Sequence, residues 1–194
     1  MKEITNNEMM MVLAIVKNPK REYNSFNLAK LLGISAMGAF KIAQRLEKEG
    51  ILEGKQMGNA KFLRVRLEND YVRQYVLFLL KREAASAPPF VKSWIEDLRK
   101  LKNTQAAIIF GSVLRKGKDA NDIDVLFVLD KKKFKALKKE IDELTELRTK
   151  RVHPMYQAEG DIAENIRKEN PAMLNALKGM YIVGEEILLE EARL

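Results

Sequence analysis

Two short, mostly apolar runs near the middle of the sequence constrain its fold more than any other feature. They are AAIIF at residues 106–110, which ends at Gly111-Ser112, and IDVLFVL at residues 123–129. Runs of this length, bounded by turn residues, predict buried β-strands. A third strand is predicted for RVHPMYQ at residues 151–157, where Pro154 cannot donate to a ladder and indicates an edge strand or a bulge.

Helical patterns surround these strands. Apolar residues recur at helical spacing over residues 91–101, which include the only tryptophan, and over residues 131–147. Two further helices are predicted before and after Pro171, followed by a short C-terminal tail. The second half of the chain is therefore predicted to combine a small sheet with helices.

Asp122 and Asp124 are candidate functional residues at the start of the second of these strands. Because successive side chains of a strand alternate between its faces, both carboxylates point the same way. Two carboxylates this close repel each other, and one of them would protonate unless a divalent cation removed the conflict. Oxygen ligands of this kind suit Mg²⁺ or Mn²⁺.

The segment between the two strands carries the groups that a phosphate needs. Gly111 lets the backbone approach a phosphate, the Ser112 hydroxyl can bond it, and Arg115 and Lys116 can neutralise its charge. A metal and a phosphate group would then lie side by side. That is the arrangement for phosphoryl or nucleotidyl transfer.

The first 85 residues differ from the rest in charge and in pattern. They carry a net charge of +6 against +2 for the remainder, which indicates that this half meets a polyanion. Helices are predicted over residues 5–17, 25–32 and 36–49, separated by short turns. Two further runs, at residues 51–56 and 61–67, predict a hairpin with a glycine at its tip.

This pattern, carried by NLAKLLGISAMGAFKIAQRLEKEGIL, resembles the winged helix-turn-helix family over residues 1–67. The resemblance implies that the third helix enters the major groove of DNA and that the hairpin touches the backbone or the minor groove. Helix caps and basic side chains also suit phosphate binding and counterion release. The predicted DNA-binding residues are Ser35, Met37, Gly38, Lys41, Arg45, Lys55 and Lys61. The alternative is a winged helix that serves only as a protein-interaction module.

A strongly apolar segment, residues 70–84, follows the hairpin. It predicts a helix that is apolar on more than one face, and such a helix needs cover from two sides. It either packs against the neighbouring domains or forms a homodimer contact. The segment SAPPF at residues 86–90 contains two prolines and is the best linker. The predicted domains are residues 1–68, a connecting helix and linker at 69–90, and residues 91–194.

Gly111-Ser112, Arg115 and the pair Asp122-x-Asp124 resemble the DNA polymerase β-like nucleotidyltransferase superfamily in its minimal form, over about residues 91–157. The resemblance implies that Gly-Ser binds a nucleoside triphosphate and that the aspartates are catalytic and hold two metal ions. It also implies a third carboxylate, from a later strand, that activates the acceptor hydroxyl. The corresponding strand RVHPMYQ has no carboxylate, and His153 lies roughly in that place. A histidine there is either structural or, if it faces the metals, a weak base.

The predicted fold class is therefore α+β, with a winged helix-turn-helix followed by a small mixed-sheet nucleotidyltransferase-like domain with flanking helices. Chains of this kind resemble a prokaryotic, largely archaeal group. Three functions follow: a nucleotidyltransferase with DNA binding as regulation, a DNA-binding transcriptional regulator whose degenerate transferase domain binds nucleotide without turnover, and an antitoxin-like partner of a helical protein. The lack of cysteine, of a signal-peptide pattern and of a long apolar run predicts a cytoplasmic protein with no membrane partner.

Overall fold

The computed structural model of this chain describes residues 4–191. The chain forms two compact units, Met1–Leu79 and Leu80–Leu194. Within the described range, no single helix has both the length and the apolar composition to cross a membrane, and one sharply bent pair of helices, Ser25–Leu32 with Ala36–Lys48, passes that test on length and composition alone.

The first unit begins with three helices: α1 (Asn6–Val16), α2 (Ser25–Leu32) and α3 (Ala36–Lys48). Each helix starts after a residue whose side-chain oxygen accepts a hydrogen bond from the first turn, namely Thr5, Asn24 and Ser35. Gly33 ends α2 in the left-handed conformation, with φ +65°, so the chain turns sharply into α3.

A β-hairpin follows, formed by β1 (Leu52–Met57) and β2 (Ala60–Val65). Met57 pairs with Ala60, so the turn consists of Gly58 and Asn59. The N–H of Leu63 donates to the carbonyl of Tyr23 at 2.7 Å, which adds an isolated bridge to the hairpin. Three helices followed by this hairpin form a winged helix-turn-helix, as the sequence predicted.

Helix α4 (Asp70–Ala85) begins in the first unit and ends in the second. Its buried side chains include Val72, Val76 and Leu80, whereas Tyr71 and Phe78 are 65% and 53% exposed. The helix is therefore apolar on more than one side, as predicted, and two of its aromatic rings face solvent.

Within residues 80–191, the second unit contains a four-stranded sheet and six complete α-helices, besides the end of α4 and two short 3-10 turns. The strands are β3 (Ala106–Phe110), β4 (Ile123–Val128), β5 (Val152–Gln157) and β6 (Met180–Val183). The helices are α5 (Pro89–Leu98), α6 (Val113–Lys116), α7 (Phe134–Glu146), α8 (Asp161–Arg167), α9 (Pro171–Ala176) and α10 (Glu185–Glu191).

The sheet has the order β5-β4-β3-β6. Strand β3 runs antiparallel to both β4 and β6, whereas β4 and β5 are parallel. The sheet is therefore mixed, as predicted. Strand β5 lies at its edge, which is where a strand that contains Pro154 can be accommodated.

Both faces of the sheet are covered. On one face Val125 and Phe127 pack in a core with Trp94 of α5 and Ile141 of α7. On the other face α9 and α10 contact β3, and Leu126 is fully buried. Because side chains alternate along β4, Asp124 belongs to this second face and lies near its end, where the cover is incomplete.

The predicted C-terminal tail was wrong, because this segment forms β6 and α10. The four apolar residues of β6 stand between Gly179 and Gly184, a signal that the sequence does contain. A side chain at Gly184 would overlap the carbonyl oxygen of Gln105, so the glycine allows the chain to pass close to β3.

Helix α5 begins at Pro89, inside the predicted linker and two residues before the predicted start. Proline is favoured at the first position of a helix because the N–H that it lacks would have no partner there. Ala87, also within the predicted linker, is buried in the core of the second unit. The domain boundary at residues 86–90 nevertheless stays a prediction.

Candidate active site and DNA interface

Asp124 is the second residue of β4, and Asp122 lies two residues before it at the entry to that strand. Both are half-buried, with 22% of the Asp124 side chain exposed. The entry to β4 follows the segment that carries Gly111 and Ser112, because β3 and β4 are antiparallel neighbours and Phe110 pairs with Asp124. The fold therefore places the two predicted halves of the site together.

Gly111 leaves the space that Asp124 occupies. Its φ is +78°, a conformation that residues with a side chain adopt rarely. A Cβ built on Gly111 would overlap Oδ2 of Asp124 and lie 3.0 Å from its Cγ. Residue 111 must therefore be glycine for two reasons: its backbone conformation is left-handed, and the Asp124 carboxylate occupies the space of a side chain.

His153 completes the cluster from the neighbouring strand. In the parallel pair of β4 and β5, Asp124 is the register partner of His153. Nδ1 of the imidazole lies 2.9 Å from Oδ1 of Asp124, and the ring is 72% exposed. The hydrogen bond with Asp124 raises the pKa of His153, the slight burial of the ring opposes this effect, and the charges of Asp124 and Asp122 add to it.

The three side chains fit a divalent cation. Asp122, Asp124 and His153 each offer one ligand atom, and these atoms lie within 4.8 Å of one another. Two ligands on opposite sides of a small divalent ion lie about 4.2 Å apart, so only small side-chain rotations are needed. Among residues 4–191, this cluster contains no third carboxylate. The donor set is two carboxylate oxygens and one imidazole nitrogen.

The predicted phosphate-binding residues lie directly after β3. Ser112 precedes the short helix α6, and its side chain makes no capping hydrogen bond, so its hydroxyl is available to a ligand. Arg115 and Lys116 are exposed on α6. Neither takes part in an ion pair with the residues that the structure describes. Their roles in nucleotide binding stay predictions.

Residues 91–173, which contain all of these groups, match the family model of the nucleotidyltransferase domain. This part of the chain is therefore similar to a nucleotidyltransferase domain. No curated protein matches the sequence. Within this region, Gly111-Ser112 and the Asp122-x-Asp124 pair lie together, and His153 lies beside them where the resemblance implied a carboxylate.

Several solved structures resemble about half of the chain. The adhesin competence repressor AdcR from Streptococcus pyogenes is 14% identical, with a TM-score of 0.38, over 52% of this chain and 68% of its own. A mutant of Lactococcus lactis ZitR is 13% identical, with a TM-score of 0.36, over 52% and 64%. The heme sensor protein PefR from Streptococcus agalactiae, in complex with heme, is 20% identical, with a TM-score of 0.37, over 51% and 70%.

The predicted DNA-binding residues of the winged helix fall on α3 and the hairpin. Met37 and Lys41 are exposed on α3, and Lys55 is exposed on β1. Ser35 uses its hydroxyl oxygen to accept the N–H of Gly38 at 3.0 Å, and a side chain at Gly38 would press against that oxygen. These two residues therefore have a structural role as the cap of α3, whatever their part in DNA binding.

Two of the predicted DNA contacts form ion pairs inside the first unit. Arg45 on α3 pairs with Glu8 on α1, and also with Glu49 at 3.4 Å. Nζ of Lys61 on β2 lies 2.5 Å from Oε1 of Glu47 on α3. Their contact with DNA stays a prediction, and the structure gives each of them a second role in holding the fold.

Glu8 is the residue that sequence reasoning missed. It is 3% exposed, although it is a carboxylate, and it accepts a hydrogen bond from the N–H of Thr5 at 2.8 Å. Burial raises its pKa, but the hydrogen bonds with Thr5 and Arg45 and the charge of Arg45 outweigh burial, so the pKa of Glu8 lies below its usual range. The sequence signal was the Thr5-x-x-Glu8 capping box at the start of α1.

Proposed function

We propose that the nucleotidyltransferase domain transfers a nucleoside monophosphate from a nucleoside triphosphate to an acceptor hydroxyl, and that the winged helix binds duplex DNA. The observation that carries the first part is the contact between Gly111 and Asp124, which joins the phosphate-binding turn to the acidic pair. The missing side chain at residue 111 lets the Asp124 carboxylate lie directly against the turn that is proposed to bind the phosphate.

In this reaction the acceptor oxygen attacks the α-phosphorus, the bond from that phosphorus to the bridging oxygen breaks, and pyrophosphate leaves with the electron pair. Ser112 bonds the triphosphate, and Arg115 and Lys116 balance its charge. Asp122 and Asp124 would hold Mg²⁺ or Mn²⁺, which when bound supplies charge stabilisation for the transferred group. The acceptor proton passes to water, because the described residues place no third carboxylate at the site.

The direct test is incubation of the protein with α-labelled nucleoside triphosphates, Mg²⁺ or Mn²⁺, and either the protein itself or total RNA as acceptor. Label should transfer with the wild type and fail to transfer with Asp122→Asn. The matched control is Asp119→Asn, which removes a carboxylate that is exposed in the same loop but stands outside the cluster. Equal labelling by all three proteins would overturn the proposal.

A second function is favoured by His153. A positioned general base contributes typically 10²–10⁴-fold to a rate, and the carboxylate that would supply it is replaced here by an imidazole. The nucleotidyltransferase domain would then bind nucleotide without rapid turnover and act as a sensor that regulates DNA binding. The affinity of the full chain for DNA, measured with and without a nonhydrolysable triphosphate, tests this function: a change in affinity without labelling supports it.

The exposed rings of Tyr71 and Phe78 on α4 motivate the homodimer predicted through residues 70–84. Light scattering on the wild type and on Tyr71→Ser/Phe78→Ser tests it, since a monomeric wild type would remove the homodimer. An antitoxin-like pairing with a helical protein stays an alternative that requires the partner itself.

A further inference from the structure

We propose that His153 is a metal ligand of the nucleotidyltransferase site, and that its imidazole shifts the preference of this site from Mg²⁺ toward Mn²⁺ and the softer divalent ions. The inference rests on the proposed nucleotide-transfer site and deepens it by naming the metal. It also gives His153 a different role from that of a base, because a nitrogen lone pair that binds a metal cannot accept a proton.

The strand register carries the first part of this inference. A parallel pair fixes Asp124 and His153 side by side, so the imidazole projects from the same face of the sheet as the two carboxylates. Nδ1 of the imidazole lies 2.9 Å from Oδ1 of Asp124, and one imidazole nitrogen lies within 4.8 Å of a carboxylate oxygen of each aspartate. The position is defined by backbone pairing, and no loop has to rearrange to bring it there.

Ligand chemistry carries the second part. Mg²⁺ strongly prefers oxygen ligands, whereas imidazole suits the first-row transition metals. Replacing a carboxylate by neutral imidazole also removes one negative charge from the site. Both changes weaken the binding of Mg²⁺ more than the binding of Mn²⁺, Co²⁺ or Zn²⁺.

The sequence makes this inference unusually easy to test. His153 is the only histidine among the 194 residues, so an imidazole signal from the tag-free protein has one source. Mn²⁺ is paramagnetic, and pulsed electron paramagnetic resonance detects a nitrogen bound directly to it. Labelling the histidine with ¹⁵N changes the signal of that nitrogen and of no other side chain.

The experiment therefore compares full-length wild type, His153→Asp and His153→Gln, each loaded with Mn²⁺ alone. We expect nitrogen coupling that responds to ¹⁵N-histidine in the wild type and is absent in both variants. In competition with Mg²⁺, the preference of the wild type for Mn²⁺ should fall about tenfold or more in His153→Asp, because that variant restores an all-oxygen site. The exposed position of His153 makes both substitutions compatible with the fold, which circular dichroism verifies.

A wild type without histidine coupling, or an Mn²⁺ to Mg²⁺ preference that is unchanged in His153→Asp, would overturn the inference. Neither outcome depends on turnover. Histidine coupling in a protein that never labels an acceptor would instead contradict the proposed transfer reaction and leave the metal site standing.

Discussion

Gly111 and Asp124 are in contact across the antiparallel pair of β3 and β4, and the carboxylate of Asp124 occupies the place where a Cβ of residue 111 would be. The acidic pair and the phosphate-binding turn are therefore one packed unit. A change in the backbone of the turn must also move the carboxylate.

Gly111→Ala should abolish metal and nucleotide binding, because the new methyl group displaces Asp124. Gly160→Ala is the matched control, since Gly160 has φ +89° and no atom within 4 Å of an added Cβ. Both variants should lose about 1–2 kcal/mol of unfolding free energy from the left-handed backbone. Calorimetry with Mn²⁺ should show binding lost only in Gly111→Ala, and equal affinity in both would contradict the packing argument.

Arg45→Ala should destabilise the first unit by about 3 kcal/mol, because it leaves the buried carboxylate of Glu8 without its cation. Urea unfolding followed by circular dichroism reports both units, whereas fluorescence of Trp94, the only tryptophan, reports the second. We expect Arg45→Ala to lower the urea midpoint measured by circular dichroism and to leave the midpoint measured by Trp94 fluorescence unchanged. The double variant Glu8→Gln/Arg45→Ala should be more stable to urea than Arg45→Ala, because it no longer buries a carboxylate that has lost its cation.

This result bears on DNA binding as well. A weaker affinity in Arg45→Ala follows from the lost ion pair alone, so it is no proof of a DNA contact. An unchanged unfolding curve together with lost DNA binding would show the reverse, that Arg45 acts mainly on DNA.

The stability of the first unit should fall in acid through Glu8. The pKa of Glu8 is below its value in the unfolded chain, so the ionised carboxylate stabilises the fold above about pH 4.5, and this contribution is lost as the pH falls through the folded-state pKa. Glu8→Gln lacks that titration. The difference in unfolding free energy between wild type and Glu8→Gln should therefore shrink as the pH falls below about 4.5, and a constant difference would count against the ion pair.

Lys41→Ala should weaken DNA binding without changing stability, since Lys41 is exposed on α3. If the ammonium meets a phosphate, the slope of log affinity against log salt should decrease by about one. If it reads a base, specific binding should weaken by roughly 1–3 kcal/mol.

Lys138→Ala, which removes an exposed lysine of α7, is the control and should leave both the salt slope and the specific affinity unchanged. No retardation of duplex DNA by the wild type, even at low salt, would exclude DNA as a partner.

Much of the fold was predictable because its information is local. Apolar spacing predicted the three helices of the first unit and the strands β3, β4 and β5, since each repeats the period of its own backbone geometry. Alternation along β4 was enough to place Asp122 and Asp124 on one face. The strand β6 was missed because four apolar residues between glycines resemble a turn until a neighbouring strand pairs with them.

The tertiary structure decided which of these local elements meet. The sequence allowed His153 to face either side of its strand, and only the parallel register with β4 places it beside Asp124. The sequence also predicted that Arg45 contacts DNA, whereas the packing of the first unit places the Arg45 side chain in an ion pair with Glu8 of α1. Periodicity is a property of neighbouring residues, whereas register and helix contact depend on hydrogen bonds and burial between distant ones. The sequence by itself determined most of the elements and the acidic pair, and the fold determined β6 and the third member of the site.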